Sequence, residues 1–155
     1  LIPINSKENY SYMTNILIFY SNKIKNIKII IGHSHDAICS SNLVIASSGT
    51  ATLEAALYKK PMIIIYKTSF FSYLLLKKML LIPFVGLPNI LLNRFIVPEF
   101  LQNNATAENI SNKAVEILAD KKLHKSLNIK FKELHIALKR NSSELIYKKI
   151  LKHLK

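Results

Sequence analysis

Three short apolar runs, at residues 27–31, 43–46 and 62–66, alternate with stretches of helical length, and no other feature narrows the possible folds as much. A strand that is apolar at consecutive positions, rather than at every second one, is covered on both faces. Helices between such strands supply the cover, and a strand–helix–strand order makes the sheet parallel. Residues 6–22, 36–41 and 50–58 read as those helices. The expected fold class is therefore α/β, a doubly wound parallel sheet.

Beyond Tyr66 the texture becomes helical. Residues 70–81 have helical length, and the two prolines and the asparagine of residues 83–89 predict an irregular segment. Further helices are expected at residues 107–119, with Thr106 as N-cap, and at residues 122–138 and 143–154. A length of 155 residues suits one domain with its own core. The chain opens on Leu1 without methionine and reads as the C-terminal part of something longer. The longest apolar stretch, residues 70–92, is interrupted by Lys77, Lys78, Pro83 and Pro88 and does not have the form of a bilayer span.

A net charge of +13 invites a nucleic-acid partner. Of the 22 basic side chains, however, only Arg94 and Arg140 are arginine, the residue favoured for bidentate phosphate and base contacts. Abundant Lys, Ile and Asn carry the signature of an A/T-rich genome, so the charge reads as a solvated lysine surface. Neither clustered arginine nor aromatic stacking motifs favour a nucleic-acid module. Cys39 stands alone, which excludes an internal disulfide. His33, His35 and Cys39 are too few for a structural zinc and read as a polar loop, so no metal or cofactor is expected.

Ala46-Ser47-Ser48-Gly49-Thr50-Ala51-Thr52-Leu53-Glu54 joins a strand to a helix. In an open parallel sheet, ligands sit beyond the carboxyl ends of the strands. A helix start offers unpaired N–H groups and partial positive charge to a phosphate. Gly49 permits close approach, Ser48 and Thr50 add hydroxyls, and Glu54 lies one turn on, placed for the hydroxyls of a ribose. Ordinary capping explains the same residues, since Ser and Thr cap helices and Glu suits a first turn. On local pattern both readings stand.

The string SGTATLEAALYKKPMIIIY, followed by Phe84-Val85-Gly86-Leu87-Pro88-Asn89-Ile90-Leu91 and by Val97-Pro98-Glu99-Phe100-Leu101-Gln102, resembles the C-terminal half of lipid-A-disaccharide synthase, a bacterial glycosyltransferase of the two-domain GT-B architecture. The resemblance implies a Rossmann-like, UDP-sugar-binding domain over residues 1–155, with the N-terminal acceptor domain absent. It implies condensation of UDP-2,3-diacylglucosamine with 2,3-diacylglucosamine 1-phosphate (lipid X) to the lipid A disaccharide and UDP, with the general base in the absent domain. On that reading Ser48, Gly49 and Thr50 hold the diphosphate and Glu54 the ribose. Asn89 touches the donor sugar or diphosphate as the bond breaks, and Arg94, Glu99 and Gln102 match further motif positions. A cytoplasmic location follows, with peripheral contact at the inner membrane through residues 70–78 and a homodimer as compatible additions. Other UDP-sugar enzymes of the same half-fold, such as the lipid II glycosyltransferase or UDP-N-acetylglucosamine epimerase, tend to a Ser-Gly-Gly loop where Thr50 stands here. Departures from the family pattern are Lys67 for arginine, Phe70 for proline, Gly86 for serine, Asn93 for glycine, and His35-Asp36 where Arg-Glu or His-Glu is typical.

Overall fold

A computed structural model describes residues 1–20, 26–69, 73, 83–139 and 150. The strands are β1 (Ile2–Ile4), β2 (Ile29–Ile31), β3 (Val44–Ser47), β4 (Met62–Tyr66) and β5 (Glu99–Leu101). Between and after them run α1 (Lys7–Tyr20), α2 (Ser34–Ser40), α3 (Thr50–Leu57), α4 (Leu87–Leu92), α5 (Ala107–Ala119) and α6 (Lys121–Leu138). Every strand pair is parallel, as the continuous apolar runs require. The described strands form two ladders, β1-β2 and β3-β4-β5, where the sequence suggested one sheet.

The central strand β4 carries the argument for burial on both faces: Met62, Ile63 and Ile64 have no exposed surface. Against it pack Ala55 and Ala56 of α3, both fully buried, and Leu127, Phe131 and Leu134 of α6. Their spacing of four and three places these α6 side chains on one helix face. Two alanines in a row leave α3 little side-chain bulk on its inner face, which suits its central place in this core. Asp120 starts α6 by accepting from the N–H groups of Lys122 (2.8 Å) and Leu123 (2.9 Å). Thr106 caps α5 as expected, its hydroxyl accepting from Asn109 N–H at 3.2 Å.

One expectation is corrected. Residues 87–89, read as the end of an irregular segment, open α4, because Pro88 falls in the first turn where no N–H partner is needed. The helix stops at Asn93, which takes the left-handed conformation (φ 47, ψ 39) of a C-cap. Glu99, expected only as a motif position, opens β5 and pairs with Ile64 of β4. The stretches at residues 70–81 and 143–154 lie, apart from Tyr73 and Ile150, outside the described residues.

Candidate functional site

The turn after β3 is built by a change of hydrogen-bond partner. Ser48 continues the ladder through its N–H, which donates to the Ile65 carbonyl at 3.0 Å. Its hydroxyl donates to the Val85 carbonyl at 2.5 Å, drawing the chain ahead of α4 onto the end of β3. Gly49 then turns the backbone into α3 (φ 158, ψ −167), and its carbonyl accepts from both Thr52 N–H (3.1 Å) and the buried Thr52 hydroxyl (2.7 Å). The N–H groups of Gly49, Thr50 and Ala51 lead the helix without an intrahelical acceptor. Gly49 and Thr50 are exposed, and a Cβ at Gly49 would meet no atom within 4 Å. One turn on, the half-buried Glu54 carboxylate lies 3.9 Å from His35 Nδ1. The His35 ring stands edge-on to Tyr58. A cavity of about 780 Å³ reaches this corner along Ser47, Ala51 and Glu54. Its donors point outward at a helix start, an arrangement suited to an anion with a hydroxyl-bearing group beside it.

The other motif residues close inward. Asn89 is fully buried, and its side chain has all four of its hydrogen bonds: the amide donates to the Val97 carbonyl (2.8 Å) and Glu99 (2.7 Å), and the oxygen accepts from Ile96 (2.7 Å) and Val97 (3.0 Å) N–H. Glu99 accepts from Val85 N–H and Gly86 N–H, each at 2.9 Å, in addition to Asn89. The side chain expected at the sugar or diphosphate thus has every donor and acceptor engaged within the protein. Glu99 holds the chain at Val85 and Gly86 in place and so shapes the rim of the Ser48 turn. Gln102 accepts from Thr68 N–H at 3.0 Å, fixing the segment that leaves β4. Arg94 pairs with Glu133 of α6 at 2.6 Å, with both side chains more than half exposed, which screens the pair. Among the described residues no cluster of three or more His, Cys, Asp or Glu is placed to hold a metal ion.

The structure thus groups Gly49, Thr50 and Glu54 at an open corner and assigns Ser48, Asn89, Glu99 and Gln102 to the framework behind it. A family model described as Lipid-A-disaccharide synthetase matches residues 2–150. The chain belongs to the lipid-A-disaccharide synthetase family. It is 45% identical over 117 residues to the lipid-A-disaccharide synthase of Dechloromonas aromatica, covering 76% of this chain and 31% of that one. Identity to the Methylobacillus flagellatus synthase is 37% over all 155 residues and 41% of the relative. The Chromobacterium violaceum synthase is 37% identical over 143 residues, or 92% of this chain and 37% of that one. The chain therefore spans well under half the length of these relatives.

One residue of the corner was not singled out from the sequence as part of it. His35 reaches Glu54 because α2 and α3 flank the same strand, β3, and pack on each other. Nineteen positions separate the two, so no spacing rule joins them; the available signal was the strand between two short helices.

Proposed function

We propose that this chain is the donor-nucleotide half of a glycosyltransferase that condenses UDP-2,3-diacylglucosamine with lipid X to give the lipid A disaccharide and UDP. The observation that carries this reading is the exposed start of α3, with three outward N–H groups and open space before Gly49. Membership of the lipid-A-disaccharide synthetase family supports the reaction class.

In the transfer, an acceptor hydroxyl oxygen bonds to the anomeric carbon while the bond from that carbon to the diphosphate breaks. The electron pair leaves on the phosphate oxygen, and the acceptor proton passes to a base. The chain contributes where negative charge grows. Gly49, Thr50 and Ala51 N–H groups and the Thr50 hydroxyl face the departing diphosphate, and the α3 dipole adds to them. Donors fixed by a folded turn need no reorganisation as the bond breaks. Glu54 receives the ribose hydroxyls, with His35 beside it. The base belongs to polypeptide that this chain does not span. Family membership and the acyl chains of the proposed substrates support a reaction in the cytoplasm at the inner-membrane surface; among the described residues no helix is long and apolar enough to cross a bilayer.

Calorimetric titration of UDP into the wild-type chain and Glu54→Ala tests the assignment. Affinity is expected to fall about tenfold on loss of the carboxylate–hydroxyl bonds, with the melting temperature unchanged. Equal affinity in the two proteins would remove the ribose role.

A further inference from the structure

Two histidines flank Ser34 at the start of α2, and they are used differently. His33 closes locally, its Nδ1 lying 3.0 Å from Asp36 Oδ2. His35 Nδ1 instead stops 3.9 Å from Glu54 Oε2, beyond hydrogen-bond distance. Among the described residues no hydrogen bond reaches the Glu54 carboxylate, and its charged neighbour is His35. Glu54 and Tyr58 stand four residues apart on one side of α3, and the imidazole lies against that side, edge-on to the Tyr58 ring. With 65% of the His35 side chain exposed, an ion pair at this distance contributes little to stability. A gap of 3.9 Å does hold one oxygen atom: at about 2.8 Å from each partner, the angle at that oxygen is about 90°.

A hydroxyl suits the gap chemically. It has one hydrogen to donate and two lone pairs that accept, whereas a carboxylate only accepts. A diol bound to Glu54 alone gives up its hydrogens and leaves its lone pairs unserved. An imidazole N–H beside the carboxylate supplies the missing donor, from the imidazolium and the Nδ1–H tautomer alike. Glu54 also lies about 6 Å along α3 from Thr50, a distance that a ribose spans from its 5′-phosphate to its hydroxyls.

On the reading of Glu54 as the ribose carboxylate, we propose that His35 is a second ribose-binding residue and selects ribonucleotides over their deoxy forms. One hydroxyl of the vicinal pair sits between the two side chains, donating to Glu54 Oε2 and accepting from His35 Nδ1. The other hydroxyl donates to Oε1 and has no contact with His35. The two side chains come from separate helices, α2 and α3, which pack on each other, so the ribose bridges the pair. A site that hydrogen-bonds a substrate hydroxyl rejects the analogue lacking it, because its polar groups are then left unpaired.

Calorimetric titration of UDP, 2′-deoxy-UDP and 3′-deoxy-UDP into the wild-type chain and His35→Ala tests it. His35→Ala should bind UDP about tenfold more weakly, with the melting temperature unchanged because the side chain is exposed. For the analogue that lacks the bridging hydroxyl, the two proteins should have equal affinity. For the other analogue the tenfold difference should persist, since the removed groups do not touch. Unchanged UDP affinity in His35→Ala, with Glu54→Ala still weakening UDP, would overturn this proposal alone. A tenfold loss that persists with both analogues would also overturn it, placing His35 elsewhere on the nucleotide. So would a loss that vanishes with both, because His35 would then only position Glu54. Absence of UDP binding, or UDP affinity indifferent to Glu54→Ala, would instead remove the ribose role of Glu54 and this proposal with it.

Discussion

The turn at Ser47–Glu54 and the segment from Val85 to Gln102 are built from similar polar side chains, yet they dispose them in opposite ways. Around the turn, Gly49 and Thr50 are exposed and three backbone donors at the start of α3 point away from the protein. Along the segment, Asn89 and Glu99 close on backbone groups of Val85, Gly86, Ile96 and Val97. Ser48 belongs to both, its N–H in the β3-β4 ladder and its hydroxyl on Val85. The contrast teaches that a motif residue can close on the framework and set the shape of an open corner without lining it. Stability should therefore reside in the segment and affinity in the turn.

The most severe way to break that division is Asn89→Ala. It strands two N–H groups, the Val97 carbonyl and part of the Glu99 carboxylate in a fully buried place. Each unpaired buried group costs about 1–3 kcal/mol, some of it relieved by relaxation, so a loss of about 4 kcal/mol is expected in urea unfolding. UDP affinity of the protein that remains folded should change less than threefold. A large loss of affinity with unchanged stability would instead return Asn89 to the ligand.

Thr50→Pro acts from the opposite side. Thr50 is the first residue of α3, where proline is tolerated because that N–H has no helical partner. The substitution deletes two outward donors, the Thr50 N–H and the Thr50 hydroxyl, without a cost in helix bonds. A hydrogen bond to a charged group contributes about 2 kcal/mol, so loss of the N–H alone should lower UDP affinity about thirtyfold by calorimetry, and loss of the hydroxyl should lower it further, while the melting temperature holds. An unaltered affinity would place the diphosphate elsewhere.

Gly86→Ser probes the seam between the regions, at a position where the family pattern has serine. A Cβ at Gly86 would stand 2.1 Å from Ile64 Cδ1 and 3.0 Å from Glu99 Oε1. Overpacking of this kind costs about 1–3 kcal/mol; the contact is with a flexible side-chain end, so about 1.5 kcal/mol is expected. Ile64→Val removes the offending methyl and should restore most of that loss in the double variant, read by thermal unfolding. Additive rather than compensating effects would show that the two positions are not coupled.

How much of this was legible in the sequence depends on the range of the interaction. The apolar runs located β2, β3 and β4 and their parallel pairing, because burial on both faces is written in consecutive residues. Thr106 announced its helix because a cap acts over three positions. Strand β5 escaped notice, being three residues long with Pro98 before it and Glu99 at its head. The corner at Gly49, Thr50 and Glu54 was readable as a local pattern. The inward role of Asn89 was not, since its partners at Val97 and Glu99 depend on how α4 and β5 meet. The resemblance to a family named these motif residues together, without separating those that close inward on the framework from those left open at the corner.

Asn93 is the mildest test and concerns the frame alone. The family pattern places glycine there, and Asn93 ends α4 in the left-handed conformation with φ 47. Asparagine tolerates that region better than other residues with a Cβ, and glycine enters it with no steric cost. Its N–H already bonds to the carbonyls of Asn89 and Ile90, so Asn93→Gly changes the backbone preference and leaves the cap geometry intact. Stabilisation of about 0.5 kcal/mol is expected in urea unfolding, with no change in UDP affinity, because residue 93 belongs to the closed region. A shift in affinity at this position would mean that movement of α4 reaches the corner through Val85 and Ser48, and the division between frame and ligand-facing turn would then be one of degree.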